Sequence, residues 1–196
     1  MRTTKIEWTE RTWNPVTGCD KVSEGCAHCY AENMARRLCA MHNKKYVNGF
    51  KVTTHEKSLK EPLSWYSPST IFVCSMGDLF HSSVPFEFID KVMDIIRKTP
   101  KHKYQILTKR AERMSEYFET HPVPSNVWLG VTVEIERTKY RIDYLRKHIR
   151  YMKEAIGGTW IFGLVIVLIT FFTCFVSIST NYARTYKIKD EIITII

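Results

Sequence analysis

The chain has 196 residues and a formal net charge of +9, and 44% of its residues are hydrophobic. That length suits one domain, or one domain with an appendage, and the apolar content excludes wholesale disorder. Six cysteines are too few for a disulfide-stapled small protein, and the charged first residues lack the apolar core of a secretory signal. We therefore expect most of the chain in a reducing, cytoplasmic compartment, where clustered cysteines indicate metal binding or catalysis.

Three cysteines near the amino terminus carry the clearest chemical signal. Cys19, Cys26 and Cys29 follow a C-x6-C-x2-C spacing on a loop that also contains Gly18 and Gly25. Thiolates bind soft metal centres and iron–sulfur clusters, and glycines let the backbone fold closely around such a group. Three thiols without an obvious fourth suggest a cluster with one iron left open to a substrate or cofactor.

Two other interpretations of these cysteines stay open. A zinc site needs a fourth ligand, for which His28, Cys39 and His42 are the candidates. A redox-active CxxC pair is the other interpretation, although it leaves the first cysteine of the loop without a role. Spacing alone does not choose between them.

The region after the cysteine loop predicts alternating helices and strands. Residues 30–42 have apolar positions at helical spacing, and a turn at Asn48-Gly49 leads into a short extended stretch, residues 50–54. Three strand-then-helix units follow. The predicted strands are residues 71–75, 104–108 and 127–133; the predicted helices run from near Pro85 to Thr99, over 110–120, and through Ile135, Ile142 and Leu145. Such alternation predicts a parallel sheet with helical crossovers.

Polar residues follow each predicted strand. Ligands of parallel α/β sheets bind beyond the carboxyl ends of the strands, whether the sheet is open or closed into a barrel. The residues that we expect to line a pocket there are Asp78, Thr108, Lys109 and Glu134. Lys109 or Arg110 is suited to pair with a carboxylate or phosphate group of a ligand.

The positive charge is divided unevenly along the chain. Residues 148–196 contain five Lys or Arg against three Asp or Glu, which leaves +7 for residues 1–147. Such an excess can attract phosphates or nucleic acid. Because the basic residues are scattered and interleaved with acids, a solvated surface beside a membrane or an anionic ligand explains the charge equally well. Nucleic acid is therefore one candidate partner among others.

An uncharged window of 26 residues, 155–180, contains no Asp, Glu, Lys, Arg or His. A helix of about 20 apolar residues crosses the hydrocarbon core of a bilayer. We therefore predict one transmembrane helix here, with the lipid bilayer as a partner that anchors the cytoplasmic part. Basic residues are slightly richer on the amino-terminal side of the window, which favours a cytoplasmic amino terminus.

Six motifs, spread in order over residues 5–147, are distinctive in combination. They are Lys5-Ile-Glu-Trp-Thr9, Thr12-Trp-Asn-Pro-Val-Thr-Gly-Cys19, Gly25-Cys-Ala-His-Cys-Tyr-Ala31, Ser75-Met-Gly-Asp-Leu-Phe-His81, Gln105-Ile-Leu-Thr-Lys-Arg110 and Asn126-Val-Trp-Leu-Gly-Val-Thr132. Together they resemble a phage- and prophage-associated three-cysteine family that is similar to radical S-adenosylmethionine enzymes, which have a partial or complete (β/α) barrel. The resemblance implies a [4Fe–4S] cluster on Cys19, Cys26 and Cys29, with S-adenosylmethionine bound at the open iron and cleaved to start radical chemistry.

The chain departs from this pattern in two ways. Radical S-adenosylmethionine enzymes usually have a C-x3-C-x2-C loop, so the loop here is three residues longer. The family's barrel continues beyond the third unit, whereas the resemblance ends near His148 and the apolar window follows directly. Two explanations stay open: a membrane-tethered variant, or a truncation or fusion that joined part of an enzyme to the start of an unrelated membrane protein.

The sequence thus predicts four segments. They are a truncated, partial parallel (β/α) barrel of the radical S-adenosylmethionine type over residues 1–147, a basic juxtamembrane linker over 148–154, a single transmembrane helix over 155–180, and a short tail over 181–196. The leading functional hypothesis is an iron–sulfur enzyme of phage origin that acts on an unknown substrate. The alternatives are a zinc-stabilised nucleic-acid-binding module and an inactive, truncated or fused remnant tethered to a membrane.

Overall fold

Four parallel strands form the central sheet of the chain. The computed structural model describes Thr4 and residues 6–155, 184–188 and 191–195. The strands up to residue 155 are β1 (Arg11–Trp13), β2 (Val16–Thr17), β3 (Thr53–Thr54), β4 (Thr70–Val73), β5 (Lys103–Thr108) and β6 (Val127–Val131). The central sheet has the order β1-β4-β5-β6 with every neighbouring pair parallel, and β2 and β3 form a separate antiparallel pair.

Helices connect these strands and cover the sheet. They are α1 (Tyr30–Ala40), α2 (Glu56–Leu59), α3 (Phe86–Lys98), α4 (Ala111–Thr120) and α5 (Arg141–Ala155). Helix α3 shows how local sequence sets the boundaries: Pro85 precedes its first residue, and Glu87 lies in the first turn, where negative charge is favourable. At the other end, Thr99 directly follows the last helical residue, and its hydroxyl donates to the Ile95 carbonyl at 2.7 Å.

The main core lies between the sheet and its helices. Buried aliphatic residues of the strands, such as Ile71 and Ile106, pack with the apolar stripe of α3 in one cluster. Trp13 and Tyr104 meet edge to face with ring centroids 5.8 Å apart, and the Trp13 indole N–H donates to the Ser58 carbonyl at 2.7 Å. Burial of large side chains of this kind is the main stabilising contribution to the fold.

The predicted α/β class with a parallel sheet is confirmed, but the predicted truncated, partial (β/α) barrel is corrected: the described residues form a four-stranded parallel sheet with five helices. The edge strands β1 and β6 are not paired with each other in the described part of the chain. Strand β1 escaped the sequence analysis because three residues are too short to show a period of two.

The predicted transmembrane helix over residues 155–180 is not supported by the part of the chain that the structure describes. No helix in the part of the chain that the structure describes has the length and apolar character needed to cross a bilayer. Helix α5, described over Arg141–Ala155, reaches the predicted window only at Ala155, and residues 156–180 lie outside the described residues. The absence of charge from a window indicates apolar character, but it does not by itself specify a helix.

The predicted linker and tail fall on regular structure. Helix α5 runs through residues 148–154, and two strands in the tail, β7 (Arg184–Ile188) and β8 (Glu191–Ile195), pair antiparallel. The division of the chain into four segments stays a prediction.

Candidate functional site

Backbone hydrogen bonds hold the cysteine loop beside the segment that follows β4. The amide of Gly18 donates to the Met76 carbonyl at 2.8 Å, and the amide of Cys19 donates to the Phe50 carbonyl at 3.2 Å. Gly18 has φ +84°, and a side chain there would collide with the carbonyl of Lys51. Glycine is therefore required at this position, and Cys19 has a fixed place near the carboxyl end of β4.

Arg110 connects the first cysteine of the loop to the sheet. Its Nη1 lies 3.2 Å from the Sγ of Cys19 and 3.1 Å from Oδ2 of Asp78. Asp78 is only 5% exposed, and it also accepts hydrogen bonds from the Thr108 hydroxyl at 2.7 Å and from the Lys109 amide at 3.2 Å. A buried carboxylate needs such donors. Asp78 and Thr108 therefore fix the position of the residues that follow β5.

Lys109 makes a corresponding contact with the second cysteine. Its Nζ lies 3.5 Å from the Sγ of Cys26 and forms an ion pair with Glu134, which follows β6. The Oε2 atom of Glu134 is buried and has no hydrogen-bond partner among the described residues, although Nη1 of Arg141 lies 3.5 Å away. A buried acceptor without a donor is unfavourable. This oxygen is therefore a place where a donor group of a ligand would gain a hydrogen bond.

The two thiols that contact cations differ in acidity. Burial raises the pKa of Cys19, and the charge of Arg110 only partly offsets that effect. Burial also opposes ionisation of Cys26, but its pKa is lowered, because hydrogen bonds from Val22 and Ser23 and the charge of Lys109 outweigh the burial. Of the two, Cys26 forms a thiolate more readily.

Cys29 lies apart from these cationic contacts. It directly precedes α1, and its thiol has no hydrogen-bond or ion-pair partner in the described part of the chain. Among the described residues, no three His, Cys, Asp or Glu side chains are grouped so that they could hold a metal ion. The described residues therefore do not support a metal-binding group, and the assignment of Cys19, Cys26 and Cys29 as metal ligands stays a prediction; in this arrangement the thiols of Cys19 and Cys26 each contact a cation.

The structure brings together all four residues that were predicted to line a pocket. Asp78, Thr108, Lys109 and Glu134 belong to one network of hydrogen bonds and ion pairs at the carboxyl ends of β4, β5 and β6. The network is mostly internal, because Asp78 and Thr108 bind their neighbours. Their roles toward a ligand stay predictions.

Two buried residues of the site were not singled out from the sequence. Arg141 donates to the Thr132 carbonyl at 2.7 Å, and nothing in the spacing of α5 distinguishes it from a surface arginine. His81 is 2% exposed, and its Nδ1 accepts from the Ser83 amide, so its Nε2 carries the hydrogen and donates to Asp20 at 2.9 Å. His81 ends one of the six motifs, which was the available signal.

Comparisons with known proteins give one family match. A search of curated proteins and a search of solved structures each found no match. The family model of DUF5131, described as a protein of unknown function, matches residues 3–153, which include every residue of the site described above. Because the match covers well over half of the chain, the chain belongs to the DUF5131 family.

Proposed function

We propose that the chain is an iron–sulfur protein of the radical S-adenosylmethionine type, in which Cys19, Cys26 and Cys29 take up a [4Fe–4S] cluster. The observation that carries the proposal is that two consecutive residues after β5 each donate to a different cysteine of the loop: Lys109 to Cys26 and Arg110 to Cys19. The positive charges of Lys109 and Arg110 would stabilise thiolates that hold a negatively charged group in the loop.

The donor chemistry of the loop favours a cluster over zinc. Thiolates that hold an iron–sulfur cluster stay negatively charged, and hydrogen bonds to their sulfurs tune the reduction potential. A structural zinc ion needs four protein ligands. The loop supplies three cysteines, and the extra histidine within it, His28, is exposed. Three ligands suit a cluster that keeps one iron open.

The surrounding residues suit a ligand with an amino group and a carboxylate. When bound, the cluster supplies an open iron for S-adenosylmethionine and the electron that cleaves it. Glu134 offers an ammonium group its Oε2, which accepts no hydrogen bond in the described part of the chain although Arg141 lies 3.5 Å away, and Lys109 is suited to pair with a carboxylate. Asp78 acts on these groups indirectly, because it fixes Arg110 and the Lys109 amide.

The location that we propose rests on the same thiol chemistry. Free thiols in a cluster-binding loop require a reducing compartment, so we propose that the domain works in the cytoplasm. We further propose a phage or prophage origin, which rests on the resemblance carried by the six motifs.

Anaerobic reconstitution of the full chain with iron and sulfide tests the proposal. We expect about four irons per chain, as a [4Fe–4S] cluster requires, together with broad visible charge-transfer absorption. Substitution of Cys26→Ala or Cys29→Ala should abolish both. Cys39→Ala is the matched control, because Cys39 lies on α1 outside the loop and should leave the iron content unchanged.

Each other outcome rejects the proposal in a recognisable way. Zinc bound in place of iron would favour the zinc-stabilised module, and a folded chain that holds no metal would favour the inactive remnant.

If iron binds, the reduction potential of the cluster should shift in Lys109→Met and much less in Lys109→Arg, which retains a cationic donor. Reductive cleavage of S-adenosylmethionine to methionine and 5′-deoxyadenosine is then the activity to assay.

A further inference from the structure

One segment departs from the interleaving of charges seen over the chain as a whole. From residue 33 to residue 55 there is no Asp or Glu, although five Lys or Arg occur: Arg36, Arg37, Lys44, Lys45 and Lys51. We call residues 33–55 the basic arm. It comprises most of α1, the turn Lys44–Tyr46 and the chain up to β3.

Three of the five cations are available to a partner. Arg36 pairs with Glu32, and Lys45 lies 3.7 Å from Glu61. In contrast, Arg37, Lys44 and Lys51 are exposed, and none of them pairs with a carboxylate among the residues that the structure describes. The arm therefore carries three exposed cations that no carboxylate neutralises in the described part of the fold.

The basic arm lies beside the cysteine loop. Its helix α1 begins at Tyr30, directly after Cys29, and farther along the arm the Phe50 carbonyl accepts from the amide of Cys19. A small apolar cluster of Ala35, Tyr46 and Met76 packs the arm against the segment after β4. A polyanion on the arm would consequently lie beside the cysteines.

We propose that the basic arm binds single-stranded nucleic acid, with Arg37, Lys44 and Lys51 on phosphates and Tyr30 stacking on a base. Tyr30 is 67% exposed, so its ring is free to act as a stacking platform. Cations at this density bind the phosphate backbone without sequence preference. The proposal stands apart from the proposed function, because it needs no cluster.

The exposed residues between the cations favour nucleic acid over a lipid surface. A membrane-binding helix needs a broad apolar face with Trp, Phe or Leu. The exposed apolar residues of the arm are Met41 and Val47, which are separated by the polar residues His42 and Asn43 and by the cations. Hydrogen-bonding side chains among the charges are typical of surfaces that contact bases and phosphates.

Binding of a fluorescein-labelled 20-nucleotide single-stranded DNA or RNA of mixed sequence to the full chain tests the proposal. The double reversal Arg37→Glu/Lys44→Glu should weaken binding at low salt. It should also reduce the magnitude of the slope of log K against log salt by about 1.4, since each lost single-strand phosphate contact removes about 0.7. Tyr30→Ala should weaken binding about tenfold with little change in that slope.

Two matched controls separate the arm from overall charge and from exposed tyrosine in general. Lys101→Glu/Lys103→Glu changes the net charge equally on another exposed surface, and Tyr66→Ala removes a tyrosine that is 90% exposed. Both should bind like the unaltered chain. Equal weakening by a control, or binding to phosphatidylserine vesicles but not to the oligonucleotide, would overturn the proposal. Retained oligonucleotide binding by cluster-free protein would support it, whatever the fate of the iron–sulfur proposal.

Discussion

The Arg110 guanidinium lies 3.1 Å from the Asp78 carboxylate, and the two side chains are only 12% and 6% exposed. Two charges withdrawn from water in this way depend on each other, because desolvation of either one alone is costly. Arg110 also contacts the Sγ of Cys19. The pair therefore couples the stability of the sheet to the position of a cysteine.

Removal of one partner should therefore be strongly destabilising. We expect Asp78→Ala to lower the free energy of unfolding by about 3–5 kcal/mol, because Arg110 is left as an uncompensated buried charge. Urea denaturation monitored by circular dichroism measures the change. Glu56→Ala breaks the exposed pair with Lys91 and should cost less than about 1 kcal/mol. Similar costs for the two variants would contradict this account of the buried pair.

Two glycines with positive φ provide a second test. Gly18→Ala should lower the free energy of unfolding by about 2–5 kcal/mol, which combines left-handed backbone strain with the collision against the Lys51 carbonyl. Gly49 has φ +62° with no atom near its missing side chain, so Gly49→Ala should cost only about 1–2 kcal/mol of strain. The difference in urea midpoint between the two variants measures the cost of the close approach between residue 18 and the Lys51 carbonyl. Equal midpoints would show that the cysteine loop shifts to accommodate the added methyl group.

The reactivity of Cys74 should be very low. Burial raises the pKa of Cys74 to about 12, so at pH 8 only about one thiol in 10,000 is ionised. We expect iodoacetamide to leave Cys74 unmodified in the native protein while it alkylates the half-buried Cys39, and to modify both in urea. Peptide mass spectrometry reads out the pattern. Alkylation of native Cys74 at the rate of Cys39 would contradict its burial.

Buried histidines should make the protein less stable in mild acid. Burial lowers the pKa of His102, and neither ring nitrogen has a hydrogen-bond partner in the described residues, although the backbone near Pro62 and Trp65 slightly favours the charged form. The unfolded chain then binds a proton more readily than the folded one. The free energy of unfolding is therefore unaffected by His102 above about pH 6.5, the ordinary pKa of histidine. It decreases as the pH falls from there toward the lowered pKa of His102 in the folded protein.

Urea midpoints between pH 5 and pH 8 measure this dependence. His102→Phe should flatten the profile, because the new ring retains the edge contacts with Trp65 and Tyr104 and cannot be protonated. His42→Asn is the control: His42 is exposed, and asparagine tolerates its φ of 55°. A profile that is as steep in His102→Phe as in the unaltered chain would assign the acid sensitivity to another group.

The elements that the sequence predicted well have local signals. Helix α3 lies between Pro85 and Thr99 as the sequence predicted, and the strand–helix alternation produced the parallel order β4-β5-β6. Strand β1 lacks such a signal, because it is fixed by pairing with β4 some 60 residues away. The partial barrel was extrapolated from a resemblance and the transmembrane helix from the composition of one window. The described residues instead form a four-stranded parallel sheet, and they contain no helix that could cross a bilayer.

The candidate site likewise contains contacts that could be predicted from the sequence and contacts that could not. Asp78, Lys109 and Glu134 could be predicted to meet, because the carboxyl ends of parallel strands share one edge of the sheet. The contacts of Arg110 with Cys19 and of Arg141 with Glu134 could not be predicted, because they depend on side-chain directions that no spacing encodes. For the same reason, the spacing of the cysteines does not reveal that two of their thiols contact cations.

The contacts between the thiols and the cations also have a consequence for biosynthesis. Cys19 precedes its partner Arg110 by 91 residues, and Cys26 precedes Lys109 by 83. At about 5–20 residues per second, a ribosome takes roughly 4–18 s to add that length of chain. During this interval the nascent cysteines lack their cationic partners, Lys109 and Arg110, which follow β5. The growing polypeptide thus depends on the reductants of the cell before its own side chains enclose the sulfurs.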